Sequence, residues 1–233
     1  MKKITLLLLT SCFIVFFGRA QTVKTNQSCN PYFLLNEGSH WTTETYNNKD
    51  KFQGEQTFEV LSVEGEANNL TATVKITAFD KKKKETMNNE IVFTCKDGVL
   101  EMDMSQYIPA DMEESMKEMD FEIEVEETTI PEKLAVGQKL NNGSVTMKVN
   151  GMVPMNMKTE IVDRKVVSQE NINVPAGNFS TFKITSTIKS SGMVRMERKN
   201  VEFIAEGFGV VRSETYNRKG ELGSYSVLSS YRK

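Results

Sequence analysis

Leu70-Thr71-Ala72-Thr73-Val74-Lys75-Ile76-Thr77-Ala78 alternates an apolar side chain with a polar or small one along its whole length. Successive side chains of an extended backbone point to opposite faces, so this stretch has one dry face and one wet face. That is the signature of a half-buried β-strand. The same period of two recurs in Phe58-Val60, Ile91-Phe93-Cys95, Leu100-Met102-Met104, and Phe121-Ile123-Val125, the last interleaved with Glu122, Glu124 and Glu126. It continues in Val145-Met147-Val149, Val153-Met155-Met157-Thr159-Ile161, Phe182-Ile184-Ser186-Ile188 and Val201-Phe203. Turn chemistry separates these runs at Asn47-Asn48, Lys96-Asp97-Gly98, Asn141-Asn142-Gly143, Asn150-Gly151, Ser190-Ser191-Gly192 and Lys219-Gly220. Strands do not alternate with helical segments, so the sheet is expected to be antiparallel. The predicted fold is mainly β: a strongly curved antiparallel sheet or open half-barrel of about ten to twelve strands. One segment departs from the pattern. Between Pro109 and Met119, Met112, Met116 and Met119 recur at helical spacing with Glu113, Glu114, Lys117 and Glu118 between them, which predicts one short amphipathic helix.

The first residues read as a targeting segment rather than as part of the fold. Met1-Lys2-Lys3 is basic, Ile4 to Phe17 is largely apolar, and Gly18-Arg19-Ala20 supplies small residues before Gln21. This is the pattern of an export signal cleaved after Ala20, leaving residues 21–233 as a single β domain without a membrane-spanning segment. Leu9-Thr10-Ser11-Cys12 also has the form of a lipoprotein box, which would make Cys12 an acylated terminus. The apolar run continues past Cys12 to Phe17, which favours cleavage at Ala20 and a periplasmic or outer-envelope location.

Composition narrows the chemistry. The chain carries 29 Lys+Arg against 31 Asp+Glu and a single histidine. Removal of residues 1–20 takes away Lys2, Lys3 and Arg19, leaving a net charge of −5. That balance argues against nucleic-acid binding. One histidine cannot build a histidine metal cluster, and no metal or cofactor is expected. No nucleophile elbow, phosphate loop, His-Glu-x-x-His or dinucleotide fingerprint is present, so no catalytic residue is assigned. Glu101 and Asp103 are the sort of carboxylate pair a hydrolase would need, but no enclosed sugar site is announced around them. Residues 101–127 hold eleven acidic side chains and one basic one, Lys117, a solvated acidic face or a dock for a basic partner. Lys81 to Lys84 read as the protected tip of a hairpin.

Two cysteines remain after the leader, Cys29 and Cys95, in a compartment where disulfides persist. Either they pair, closing a loop of about 66 residues, or Cys95 fills the core beside Ile91 and Phe93. The methionines invite a second weighing. Met102, Met104, Met155 and Met157 fall on strand faces, while Met112, Met116 and Met119 form the helical stripe. Flexible thioethers either plug gaps in a core or line an adaptable apolar cavity under a helical lid, and these seven residues are the candidate ligand-binding set. Cu(I) ligation by Met-x-Met at 102/104 and 155/157 lacks a histidine or thiolate to complete it.

Val174-Pro175-Ala176-Gly177-Asn178-Phe179, leading into Phe182-Lys183-Ile184, resembles the strand-entry motif of the TapB-like family of bacterial envelope proteins, which share a domain of unknown function. Ala205-Glu206-Gly207-Phe208-Gly209-Val210-Val211-Arg212-Ser213-Glu214, Gly220-Glu221-Leu222, Glu37-Gly38-Ser39-His40-Trp41-Thr42 and Val136-Gly137-Gln138-Lys139-Leu140 extend the likeness over most of residues 29–231. More loosely, the expected fold is similar to the half-barrel of periplasmic lipoprotein carriers. Independently of any family, Pro175 fixes φ and Gly177 permits φ > 0 for a tight turn, and Gly207-Phe208-Gly209 suits a bend or bulge. None of these residues is a nucleophile, acid or base, so the resemblance bears on fold and compartment rather than activity. The expected function is that of an exported, non-enzymatic envelope protein that binds an apolar ligand, lipid or acyl, or an envelope partner, in the concave face of the sheet. The alternatives are a structural or assembly accessory with a filled core and, more distantly, a carboxylate-dependent hydrolase.

Overall fold

The computed structural model describes residues 29–33, 35–66, 68–102, 104, 120–150, 155–192 and 195–232. Their strands are β1 (His40–Asn47), β2 (Phe52–Glu66), β3 (Asn69–Asp80), β4 (Glu85–Lys96), β5 (Val99–Met102), β6 (Asp120–Glu126), β7 (Thr128–Ile130), β8 (Gly143–Asn150), β9 (Met155–Val174), β10 (Gly177–Ser191), β11 (Met196–Ala205), β12 (Gly209–Tyr216) and β13 (Leu222–Arg232). All thirteen join one antiparallel sheet in the order β6-β8-β9-β10-β11-β12-β13-β1-β2-β3-β4-β5-β7. The sheet therefore has more strands than the expected ten to twelve. The helix expected between Pro109 and Met119, with Met112, Met116 and Met119, lies outside the described residues.

The strand order dictates the shape. β6 and β7 stand at opposite ends of the sheet yet are separated in sequence by Glu127 alone. Laid flat at about 4.8 Å per strand, thirteen strands would hold their edges roughly 58 Å apart, whereas one residue spans under about 4 Å. The sheet must curl until its ends nearly meet, giving an almost closed barrel. Residues 137–141 fill the seam. Val166 N donates to Gln138 O at 2.9 Å, while Gly137 N and Leu140 N donate to Val166 O and Arg164 O at 2.8 and 3.0 Å. Asn141 completes the junction: its Oδ1 accepts from Thr129 N at 2.8 Å and its Nδ2 donates to Glu127 O at 2.8 Å. Asn141-Asn142-Gly143 is thus a seam rather than a hairpin connection.

Arg164, 4% exposed, fastens the same place. Its Nη1 donates to Thr129 O at 3.1 Å and Asn141 O at 3.0 Å. Two irregularities in the β9–β10 pairing, at Lys183/Ile184 and Thr185/Thr187, bend this long hairpin near Arg164. Asp163 there takes φ 57°, a conformation rare for a non-glycine residue, as bulges often require. These breaks shift the alternation by one residue after Ile161, so that the buried positions resume at Arg164 and Val166.

The barrel interior is filled. Val60, Val74, Ile91, Phe93 and Leu100 from one side of the sheet pack with Val166, Ile184 and Ile204 from the other, strands that meet only across the lumen. No volume for a water-sized sphere remains among Phe33, Leu70, Cys95 and Leu100. A second core lies on the opposite face of β11, where Val201, Phe203 and Ala205 alternate with the inward Ile204. The tip of the β9–β10 hairpin covers it. Ile172, Val174, Ala176 and Phe179 pack there against Val211 and Val227, and Ala176 N donates to Leu228 O of β13 at 3.2 Å. Gly177 makes the fold-over turn at φ 138°.

Candidate functional site

The site begins with the segment that precedes the first strand. Residues 29–33, with 35 and 36, cross one end of the barrel and are fastened at several points. Cys29 is disulfide-bonded to Cys95 at the end of β4. Asn30 Nδ2 donates to Gly98 O and Ile130 O, both at 2.9 Å, and its Oδ1 accepts from Tyr32 N at 3.0 Å. Tyr32 Oη accepts from Leu134 N at 3.1 Å, and burial pushes this phenol above its ordinary pKa. On the far side, Gly207 N and Gly209 N donate to Pro31 O and Tyr32 O, both at 2.7 Å. The glycine at 209 is sterically required: φ is +72°, and a Cβ would sit 2.8 Å from the ring of Phe33. Gly207-Phe208-Gly209 is the β11–β12 turn, shaped to receive the crossing segment.

Between that segment and the paired strands β1 and β13 lies an open pocket. Phe33, Leu35, Trp41, Gly207, Phe208, Leu228 and Tyr231 line its apolar part, with Ser39, His40 and Arg232 alongside. The β1–β13 register sets His40 opposite Arg232 and Trp41 opposite Tyr231. Trp41 packs against both cores and stacks on Phe58 with ring centres 5.0 Å apart, while Phe208 meets Tyr231 edge-on at 4.7 Å. The pocket thus opens where the two cores meet. It leaves about 40 Å³ for the centres of water-sized spheres. That is roughly three waters' worth, room for a few heavy atoms. Ser39 Oγ is the one buried side-chain N or O atom without a hydrogen-bond partner among the described residues.

The methionines are distributed differently. Met102, half-buried, packs against the main core. Met104 lies beyond the end of β5, fully buried with Val145 and Ile161 in a separate small cluster, its N–H donating to Glu127 Oε2 at 2.8 Å. Met157 is opposite Met147, and Met155 opposite Val149, in the β8–β9 register. Met102 and Met104 therefore serve different clusters, and neither lines the aromatic pocket. The family likeness runs through His40 and Trp41 but could not reveal the pocket, because Trp41 and Tyr231 are brought together only by the pairing of the first and last strands.

Glu202 is the other unusual group. Its partner on β10 is Ile184, so its side chain shares the inward face of β11 with Ile204. Burial pushes its carboxyl above the ordinary carboxylate range, against the opposing pull of Arg164 and a hydrogen bond from Asn200. The folded chain therefore holds this proton more tightly than the unfolded chain, so lowering the pH through the folded pKa favours the fold through this group. Glu202→Gln is expected to stabilise the protein at pH 7, with the gap to wild type narrowing as the pH falls. Thermal melts of both chains across pH 5 to 7 check this; a constant gap refutes it. Among the described residues no three His, Cys, Asp or Glu side chains are placed to hold a metal ion, and no helix is long and apolar enough to cross a membrane.

A family model described as DUF3108-like matches residues 36–228. No curated protein matches the chain. Among solved structures, one described as a candidate exported protein with a YmcC-like fold, from Bacteroides fragilis, is similar at 24% identity and a TM-score of 0.70, covering 88% of this chain and 100% of its own. A candidate lipoprotein from Parabacteroides distasonis is similar at 21% identity, with the same TM-score of 0.70 and coverage of 88% and 100%. At these identities the likeness establishes the fold.

Proposed function

We propose a ligand-binding role for this chain, which belongs to the DUF3108-like family: after export, it holds a small apolar molecule, or the apolar end of a larger one, at the mouth of its barrel. The observation that carries this reading is the aromatic pocket formed by Phe33, Trp41, Phe208 and Tyr231 beside a lumen that is otherwise packed. Few polar groups among many apolar ones is the usual make-up of a small-molecule site. Supporting export are the leader-like residues 1–20 and the Cys29–Cys95 bond, which suits an oxidising compartment. The role is non-enzymatic. The finer TapB-like affiliation rests on Val174 to Phe179, which form the hairpin tip, and on Ala205 to Glu214 around the β11–β12 turn.

Trp41 is the sole tryptophan of the chain, so its fluorescence reports on the pocket without labelling. Titration with eight-carbon amphiphiles below their micelle concentrations is expected to give a saturable change in emission, abolished by Tyr231→Asp with the melting temperature retained. If no amphiphile of any headgroup changes the emission, and native mass spectrometry of protein purified from its own host finds no bound apolar molecule, the reading fails.

A further inference from the structure

The strand order gathers basic turns at the end of the barrel away from the aromatic pocket. Eight strands adjacent in the sheet, β10-β11-β12-β13-β1-β2-β3-β4, are joined at that end by four hairpin connections. The β1–β2 connection carries Lys49 and Lys51, and the β3–β4 connection carries Lys81 to Lys84. Arg218 and Lys219 stand in the β12–β13 connection, with Lys189, Arg195, Arg198 and Lys199 where β10 gives way to β11. All twelve of these residues are exposed. The same stretches hold five acids, Asp50, Asp80, Glu85, Glu197 and Glu221, so the arc has a surplus of seven positive charges. At the pocket end the same strands bring Glu37, Glu66, Asp97 and Glu206 against Lys96 and Arg232. The whole chain holds 31 acidic residues and 29 basic ones, so the arc is a segregation of charge and not a reflection of composition.

Contacts make the four connections one surface. Lys189, Arg195 and Arg218 line a single open hollow, together with Glu160 and Glu197. Tyr225 Oη donates to Asp50 Oδ1 at 2.8 Å and Asn48 N donates to Gly223 O at 3.2 Å, which ties the β1–β2 connection to the start of β13. Lys83 lies 5.2 Å from the centre of the Phe52 ring and pairs with Glu55 at 2.6 Å, which ties the β3–β4 connection to the start of β2. Among the described residues Lys83 is the one member of the twelve in an ion pair. Beyond the arc, on β6, Glu122 and Glu124 are matched by Lys148. Like charges crowded along an arc repel one another, and an anionic surface relieves that repulsion. Nine of the twelve are lysines, compact mobile charges that suit a field of phosphates, whereas recognition of one fixed anion favours the planar fork of arginine. With the export read from residues 1–20, the phosphate field within reach is a lipid bilayer. We propose that this end of the barrel docks on the anionic phospholipid surface of an envelope membrane, with the aromatic pocket turned away from it.

Protein purified after export is mixed with large unilamellar vesicles of phosphatidylglycerol and phosphatidylcholine, or of phosphatidylcholine alone, and the bound fraction is measured by sedimentation. Binding is expected to be at least about tenfold tighter to the anionic vesicles. It should be lost as salt rises from about 0.1 to 1 M, which shortens the screening length from about 10 to 3 Å. Lys81→Glu with Lys82→Glu is expected to weaken it about twentyfold, since each lysine at a lipid surface contributes roughly fivefold. Asp80 Oδ1 accepts from the backbone N–H groups of Lys82 and Lys84, bonds that this variant keeps, so the melting temperature should hold. Lys96→Glu with Lys133→Glu changes the net charge equally, away from the arc, and should weaken binding less than about threefold. Equal binding to both vesicles, binding that survives the salt, or an equal loss in the second pair overturns docking by this end. Salt-sensitive binding to polyglutamate with none to vesicles gives the face to an acidic protein and overturns it too. Trp41 and its pocket take no part in these measurements, so failure here leaves the ligand reading standing, and the converse holds.

Discussion

Cys29→Ser lowers the free energy of unfolding by about 4 kcal/mol, the loop-closure contribution of a bond spanning 66 residues. Natural domains hold only about 5–15 kcal/mol in total, so the variant should be close to half-unfolded in denaturant that leaves the parent intact. The effect is local as well as global. Phe33 lies four residues beyond Cys29 and forms a wall of the pocket, and the segment carrying both is otherwise held by the bonds of Asn30 and Tyr32 and by the two glycine N–H groups of the β11–β12 turn. Release of the disulfide should therefore weaken the Trp41 response to ligand at denaturant concentrations where the sheet signal is still native. Urea unfolding with and without reductant, followed by both fluorescence and far-ultraviolet circular dichroism, tests the two parts. Coincident curves shifted by less than about 1 kcal/mol would show that the crossing segment is not held by this bond.

Arg164→Ala is expected to cost about 3 kcal/mol, of which most falls on the seam. The guanidinium donates to Thr129 O and Asn141 O from a site that is 4% exposed, so its loss takes the donor from two backbone carbonyls at the joint between the ends of the sheet. It also removes the cation that opposes the upward shift of Glu202. Arg164→Lys should recover part of the loss, because both bonds come from one nitrogen, Nη1, and an ammonium carries donors enough for two carbonyls. Hydrogen exchange gives the discriminating readout: the amides of Thr129, Leu140 and Val166 should lose protection well before those of β3. A uniform loss across the sheet would mean that Arg164 supports the core generally and does not fasten the seam. With Glu202→Gln in the background the penalty should shrink, since one of the two groups that Arg164 serves is then neutral.

How much of this could be read from the chain depends on whether the deciding interactions are local. Leu70 to Ile76 declare their strand because every other side chain is buried in the main core, and Lys81 to Lys84 declare a hairpin tip because Asp80 and Lys84 close a tight turn there. Asp97 and Gly98 take the left-handed conformations their turn requires, as Asn, Asp and Gly dipeptides between strands usually do. β9 was only half legible. Its bulges near Asp163 and Val167 shift the alternation, so the pattern that ends at Ile161 resumes one residue out of step at Arg164. The covered side chains then pass from the lumen at Val166 to the outer core at Ile172 and Val174. The closing of the barrel was not legible at all, for it rests on Asn141 and Arg164 meeting across 23 residues, and polar side chains give no periodic signal. The pocket was hidden for a related reason. Trp41 and Tyr231 look like two unrelated aromatic residues until the register places them opposite each other. Methionine spacing drew attention because it is regular, yet Met102 and Met104 settle in different clusters on either side of the end of β5.

The pairing of β1 with β13 carries one more consequence, for the timing of folding. His40 finds its partner in Arg232, so β1, which leaves the ribosome before the other strands, must wait for β13 before one of its two edges is covered. Hairpins such as β3–β4 can form as the chain appears, but the ring cannot be completed while any part of β13 is still inside. Long-range pairings of this kind slow folding because loop closure precedes the contacts that reward it. A sheet built this way stays open until β13 has left the ribosome.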